Sequence, residues 1–123
     1  MPRIRVTAGE VSMEADLNDS PTAKQVLEAL PLTGRANRWG DEIYFSIPVQ
    51  ADAGPDSRDE VQVGEIAYWP PGTAFCIFWG ATPASSGDEP RAASPVNPLG
   101  KLDGDAARFA EVASGTEVTI EAV

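Results

Sequence analysis

Gly64-Glu65-Ile66-Ala67-Tyr68-Trp69-Pro70-Pro71-Gly72-Thr73-Ala74-Phe75-Cys76-Ile77-Phe78-Trp79-Gly80 is the stretch that decides the fold class. A first strand runs through Ile66 to Trp69. Pro70-Pro71-Gly72 then makes the turn, and proline second with glycine third predicts a type II β-turn. The residue before a proline is pushed toward extended geometry, which suits Trp69 as a strand end. The second strand carries apolar residues from Ala74 to Trp79 without polar alternation. Such a run predicts a strand covered on both faces, as in the middle of a closed or sandwiched sheet.

Outward from this hairpin the period stays at two. Glu42 to Ile47 is a strand with Ile43, Phe45 and Ile47 on one face, entered through the turn Gly40-Asp41, and Leu32 to Arg38 is read as another. Ala51 to Asp59 has turn composition and no period, so it is expected to be a loop, with Val61 and Val63 forming a short strand beyond it. On the other side, Ala81 to Asn97 is rich in Pro, Ser, Ala and Gly and is expected to be a long surface loop. At the amino-terminal end Ile4, Val6 and Ala8, then Val11, Met13, Ala15 and Leu17, alternate with polar residues around Gly9-Glu10, which predicts a β-hairpin. Ser20-Pro21 reads as a helix start, with Ala23, Val26, Leu27 and Leu30 at helical spacing and Pro31 as the stop. A second short helix is expected around Asp103 to Val112, and Val118, Ile120 and Ala122 mark a last strand. Many short strands with two short helices predict a mainly β domain, a barrel or sandwich, spanning residues 1–123. A barrel leaves no exposed edges.

Composition narrows the function classes. The chain carries 19 acidic and 9 basic residues, so its net charge of −10 repels phosphate backbones and anionic lipid surfaces. Nucleic acid and membrane are therefore not expected as partners, and solubility is the simpler account of the acidity. The single cysteine, Cys76, cannot form an intrachain disulfide and lies in the apolar run, so a buried thiol in a reducing, cytoplasmic setting is expected. Histidine is absent, which removes imidazole general bases, histidine-paired nucleophiles and most zinc or iron sites. The carboxylate pairs Asp59-Glu60 and Asp88-Glu89 are expected to be solvated charge. No metal or cofactor is implied.

The segments Asn37-Arg38-Trp39-Gly40-Asp41-Glu42-Ile43-Tyr44-Phe45, Gly64 to Gly72, Ile77-Phe78-Trp79-Gly80-Ala81-Thr82-Pro83 and Pro95-Val96-Asn97-Pro98-Leu99-Gly100-Lys101 resemble a small prokaryotic family with a cyclophilin-like fold. The resemblance implies a closed β-barrel of about eight strands with a short helix covering each end. It implies no established activity. The fold is similar to that of the peptidyl-prolyl isomerases, but fold does not transmit function. This chain lacks the pattern that carries their catalytic arginine with its downstream phenylalanine, methionine and glutamine, and it lacks the histidine of their proline pocket.

The candidate site residues follow from side-chain chemistry. Prolyl isomerisation needs an apolar floor and one donor near the prolyl nitrogen, and Arg35 or Arg38 over Trp39, Tyr44, Phe75 and Phe78 could supply both. Core packing is the plainer account of the rings, and an ion pair to Asp41 or Glu42 the plainer account of Arg38. Tyr44, Trp69 and Asn97 could complete a site for a carboxylate or peptide carbonyl. If the Trp69 to Gly72 turn and the Pro95 to Pro98 segment border one opening, they frame a cleft for a small molecule or an extended peptide. The chain is thus expected to be a binding module for a small molecule or peptide. A weak prolyl isomerase is the second expectation, and an accessory subunit with a protein partner, or a homo-oligomer, the third.

Overall fold

The computed structural model describes residues 2–123. Ten strands form one antiparallel system: β1 (Arg3–Ala8), β2 (Val11–Leu17), β3 (Leu32–Arg35), β4 (Asn37–Arg38), β5 (Glu42–Ser46), β6 (Arg58–Glu60), β7 (Glu65–Trp69), β8 (Ala74–Phe78), β9 (Arg91–Leu102) and β10 (Glu117–Ala122). Their order is β3-β10-β1-β2-β9-β7-β8-β5-β4, with β6 added to β9. The two ends of this order, β3 and β4, are joined through Ala36 alone, so the sheet curls back on itself. Among the described residues no ladder of hydrogen bonds closes the seam, in contrast to the fully closed, eight-stranded barrel expected from sequence. Side chains close it instead: a Cβ on Gly34 of β3 would stand 2.5 Å from the Phe45 ring of β5.

The hairpin β1–β2 turns at Gly9, whose φ of 61° a glycine adopts without steric cost. α1 (Pro21–Ala29) begins where expected, with the Ser20 hydroxyl accepting from the Ala23 amide at 3.2 Å and proline in the first turn. It lays Ala23 and Val26 against the interior. Within the curled sheet, Ile4, Val6, Phe45, Phe75, Ile77, Phe109 and Ile120 make one continuous core. Each such side chain, removed from water, contributes about 2 kcal/mol. Tyr68 is the polar exception in this core: its hydroxyl donates to the Val49 carbonyl at 2.6 Å and accepts from the Ala51 amide at 3.2 Å. Tyr68→Phe leaves both backbone groups without that partner, so urea unfolding should show a loss of about 1–3 kcal/mol. A loss no larger than that of an exposed Tyr→Phe change would mean that water replaces the hydroxyl.

Four local expectations need correction. Residues 91–102 form the longest strand, twelve residues, where a surface loop was expected over Ala81 to Asn97. Pro95 and Pro98 read as breakers, yet β9 accommodates them, with a register irregularity opposite Ile66 and Ala67 next to Pro98. Val61 and Val63 form no strand; the short strand is β6, one turn earlier, where Arg58 and Glu60 pair with Val96 and Arg91. Pro70–Gly72 is a 3-10 turn rather than a type II turn, and Thr73, not Gly72, takes the left-handed conformation, with φ of 45°. Gly72 is small for another reason, since a Cβ there would lie 2.7 Å from the Trp69 ring. The second helix, Ala106–Glu111, is also 3-10 rather than α. It still buries Phe109, as its spacing required.

Candidate functional site

Strand alternation places two different surfaces on the β5-β8-β7 layer. Ile43, Phe45, Ile66, Tyr68, Phe75 and Ile77 point into the main core. The intervening residues Ala67, Ala74, Cys76 and Phe78 point the other way, where Val61, Ala92 and Val96 cover them to make a second, smaller core. The unbroken apolar run of β8 serves both, and all five of its residues are buried. The cover is β9 with β6, held down by Arg91, which reaches Asp59 at 2.9 Å, Glu60 at 3.1 Å and Glu89 at 3.1 Å. Three of the four carboxylates expected to be merely solvated therefore converge on one guanidinium. Glu89 also accepts the amides of Ser86 and Gly87, each at 2.8 Å. Those amides, with Arg91, hold its carboxyl down at about 2.

At the edge of this second core lies a cavity of about 240 Å³ lined by Trp39, Glu42, Tyr44, Trp69, Ala92, Ala93 and Val96. Glu42 and Tyr44 are two apart on β5 and so share its outward face, opposite Phe78 and Cys76 of β8. Trp69 ends β7, and its indole N–H donates to the Ser94 hydroxyl at 2.8 Å, spanning to β9. Trp39 is set by the tight turn into β5, its amide donating to the Glu42 carbonyl at 3.0 Å. That turn presses against the segment after β8: a Cβ on Gly40, where φ is 62°, would lie 2.8 Å from the Thr82 Cα.

Glu42 is the anomaly of this region. It is 4% exposed and lines the cavity. Among the described ion pairs, which engage Arg3, Arg5, Arg38, Arg58 and Arg91, none includes it. Desolvation raises its pKa to about 7, an effect that the neighbouring Cys76 thiol offsets in part. Burial likewise pushes the Cys76 thiol well above its ordinary value, with the neighbouring Glu42 charge adding to it. Cys76 is thus a buried, protonated thiol rather than a nucleophile. Among the described residues no group of three or more His, Cys, Asp or Glu is placed to hold a metal ion, and no helix is long and apolar enough to cross a membrane.

The residues picked from the sequence separate into five places. Trp39, Tyr44 and Trp69 come together around the cavity. Phe78 lies fully buried in the adjoining small core, whereas Phe75 belongs to the main core on the opposite face, its ring tilted against that of Phe45 with centroids 5.8 Å apart. Arg35 and Arg38 are spoken for elsewhere. The Arg35 guanidinium donates to the Gly115 carbonyl at 2.9 Å, and Arg38 donates to the Ala110 carbonyl at 3.0 Å, approaches Asp41 at 3.6 Å and sits 5.0 Å from the Trp79 ring centroid. Asn97 lines a second, larger and more polar hollow between α1 and the 51–57 loop. Its amide nitrogen donates to Thr22 and the Asp52 carbonyl, and its oxygen accepts from the Gly54 amide, so it fastens that loop.

From sequence, Glu42 stands out only as a partner for Arg38. The signal that could have singled it out is its phase: an acidic residue on the face of β5 opposite Ile43 and Phe45, beside a strand without a polar residue.

No curated protein matches the chain. The solution structure of the hypothetical protein AF2241 from Archaeoglobus fulgidus is similar over 99% of this chain and 95% of that one, with a TM-score of 0.83 and 38% sequence identity. A family model described as cyclophilin-like matches residues 2–121. The chain belongs to this cyclophilin-like family.

Proposed function

We propose that the protein is a binding module whose site is the cavity between β5, β7 and β9, and that it recognises a small molecule or a peptide side chain without transforming it. The observation that carries this is a hollow walled by Trp39, Tyr44 and Trp69 and floored by a buried carboxylate that none of the described ion pairs includes. The other buried carboxylate, Glu65, is paired with Arg58 at 2.6 Å, so one without a described ion pair beside half-buried aromatic rings fits a site awaiting a partner. The size agrees with a small occupant: about 240 Å³ lies just below the roughly 300–1,000 Å³ of sites for drug-sized ligands. The neighbours support binding over chemistry. The lining offers no arginine, and the Cys76 thiol is buried and protonated.

Thermal-shift screening with metabolites and proline-containing peptides, read alongside tryptophan fluorescence, tests the proposal. A ligand that stabilises the protein should bind Trp39→Ala about fivefold more weakly or worse, since a desolvated aromatic contact is worth about 1 kcal/mol or more. Arg38→Ala, whose guanidinium lies outside the cavity, should leave the affinity within about twofold once its effect on stability is allowed for. A library without a single stabilising compound, or one whose hits ignore Trp39, would sink the proposal.

A further inference from the structure

Accepting that the cavity binds a ligand, we propose that its preferred occupant is an alkylammonium group, a small organic cation seated between Trp39, Tyr44 and Trp69 with its charge against Glu42. The lining sorts ligands by charge. Glu42 is the one carboxyl group among the seven lining residues, no lysine or arginine is among them, and no described ion pair includes it. An anion would have to enter beside a buried carboxylate on a chain of net charge −10, which the field of the whole protein opposes. A neutral ligand could hydrogen-bond to the protonated carboxyl, but above about pH 7 it would leave the carboxylate without a counter-charge in an apolar hollow. A cation meets both needs: it compensates the carboxylate, and it sits among three π-rich rings, where cation–π attraction is strongest once water is excluded.

The remaining contacts fit an alkyl-substituted cation rather than a metal ion. Ala92, Ala93 and Val96 offer methyl surface, and a single carboxylate gives a hard metal ion too few oxygen ligands. Methyl groups around a nitrogen would instead pack on alanine and ring carbons. The titratable groups that face Glu42 from the packed elements are Tyr44 on its own strand and the Cys76 thiol on β8. Neither is a cation. In the empty site Glu42 therefore takes up a proton near neutrality, and a bound cation displaces it.

Calorimetric titration of the intact protein with choline and with 3,3-dimethylbutan-1-ol, a neutral molecule of the same shape, tests the inference at pH 8. An acetylated trimethyl-lysine amide serves as the peptide-borne form of the same group. Either cation should bind about tenfold or more tightly than the neutral alcohol. That preference should vanish in Glu42→Gln, which keeps the side chain's shape and removes its charge. At pH 5.5 the cation should bind roughly tenfold more weakly than at pH 8, with proton release on binding, because protonation of Glu42 competes. The ratio of the two cations separates a free ligand from a peptide side chain. Equal binding of cation and alcohol, or a preference that survives Glu42→Gln, overturns the inference. If the cations fail while a neutral compound binds in a Trp39-dependent way, the charge assignment falls and the binding module stands. Failure of every compound removes both.

Discussion

Gly100→Ala is expected to lower the stability of the protein by about 3 kcal/mol or more, a fall of roughly 10 °C in Tm for a domain of this size. Gly100 occupies the seam where β9 serves two neighbours at once, paired with Leu17 of β2 on one side and Ile66 of β7 on the other. The register of β9 against β7 shifts directly beside it, between the partners of Ile66 and Ala67. At this irregularity the β2 backbone comes so near that a Cβ on Gly100 would stand 2.1 Å from the Asp16 carbonyl oxygen. That atom is main chain in a ladder, so it cannot rotate away as a side chain could. Relief requires β2 and β9 to part, which would break the pairing of Ala15 with Leu102 and Asp16 with Lys101 that ties the amino-terminal hairpin to the rest of the sheet. Calorimetric or urea unfolding checks it. A change under about 0.5 kcal/mol, the size expected of an ordinary surface substitution, would show that the close approach is not there.

The second large effect is a gain. Glu42→Gln should stabilise the unliganded protein by about 3 kcal/mol at pH 8 and change little at pH 4.5. In the native state Glu42 holds its proton up to about pH 7, against an ordinary value of 4.5. Between those values the native chain binds more protons than the unfolded chain, so stability falls as pH rises through that window and levels off above it. The interval corresponds to about 3 kcal/mol, because each pH unit of difference is worth about 1.4 kcal/mol. Glutamine fills the same space without a charge to desolvate. Glu89 and Asp59 act in the opposite sense and in another window: their pKa values are lowered, so their contributions are lost only as pH falls through the acid range. Urea unfolding of both proteins from pH 4.5 to 8 should give curves that meet at the acid end and diverge toward neutrality. Parallel curves would mean that Glu42 is solvated.

β1, β2, β5 and β10 could be read from period two, and β7 and β8 from apolar runs on either side of a proline turn. The run from Ala74 to Phe78 announced a strand covered on both sides, and the second core supplies the outer cover. What covers it was hidden. β9 alternates poorly and carries two prolines, since half of its length packs on a neighbouring face while the rest joins β2 and β7. Local composition reports turn chemistry, whereas the pairing of β9 is set by partners about 30 to 85 residues away in sequence. The same concealment governs the site. Trp39, Tyr44 and Trp69 could be chosen as aromatic residues of recognition type, but only the register of β5 on β8 puts Glu42 beside Cys76 and under them. Arg35 and Arg38 looked like ligand donors because sequence does not show the carbonyls of Gly115 and Ala110 that already occupy them.

Carboxyl carbon NMR of Glu42 across pH, with and without choline, tests the claim on which site and ligand both depend. The account predicts a midpoint near pH 7 in the free protein, moving downward when the cation is bound. A midpoint at the ordinary 4.5, unmoved by the cation, would contradict it.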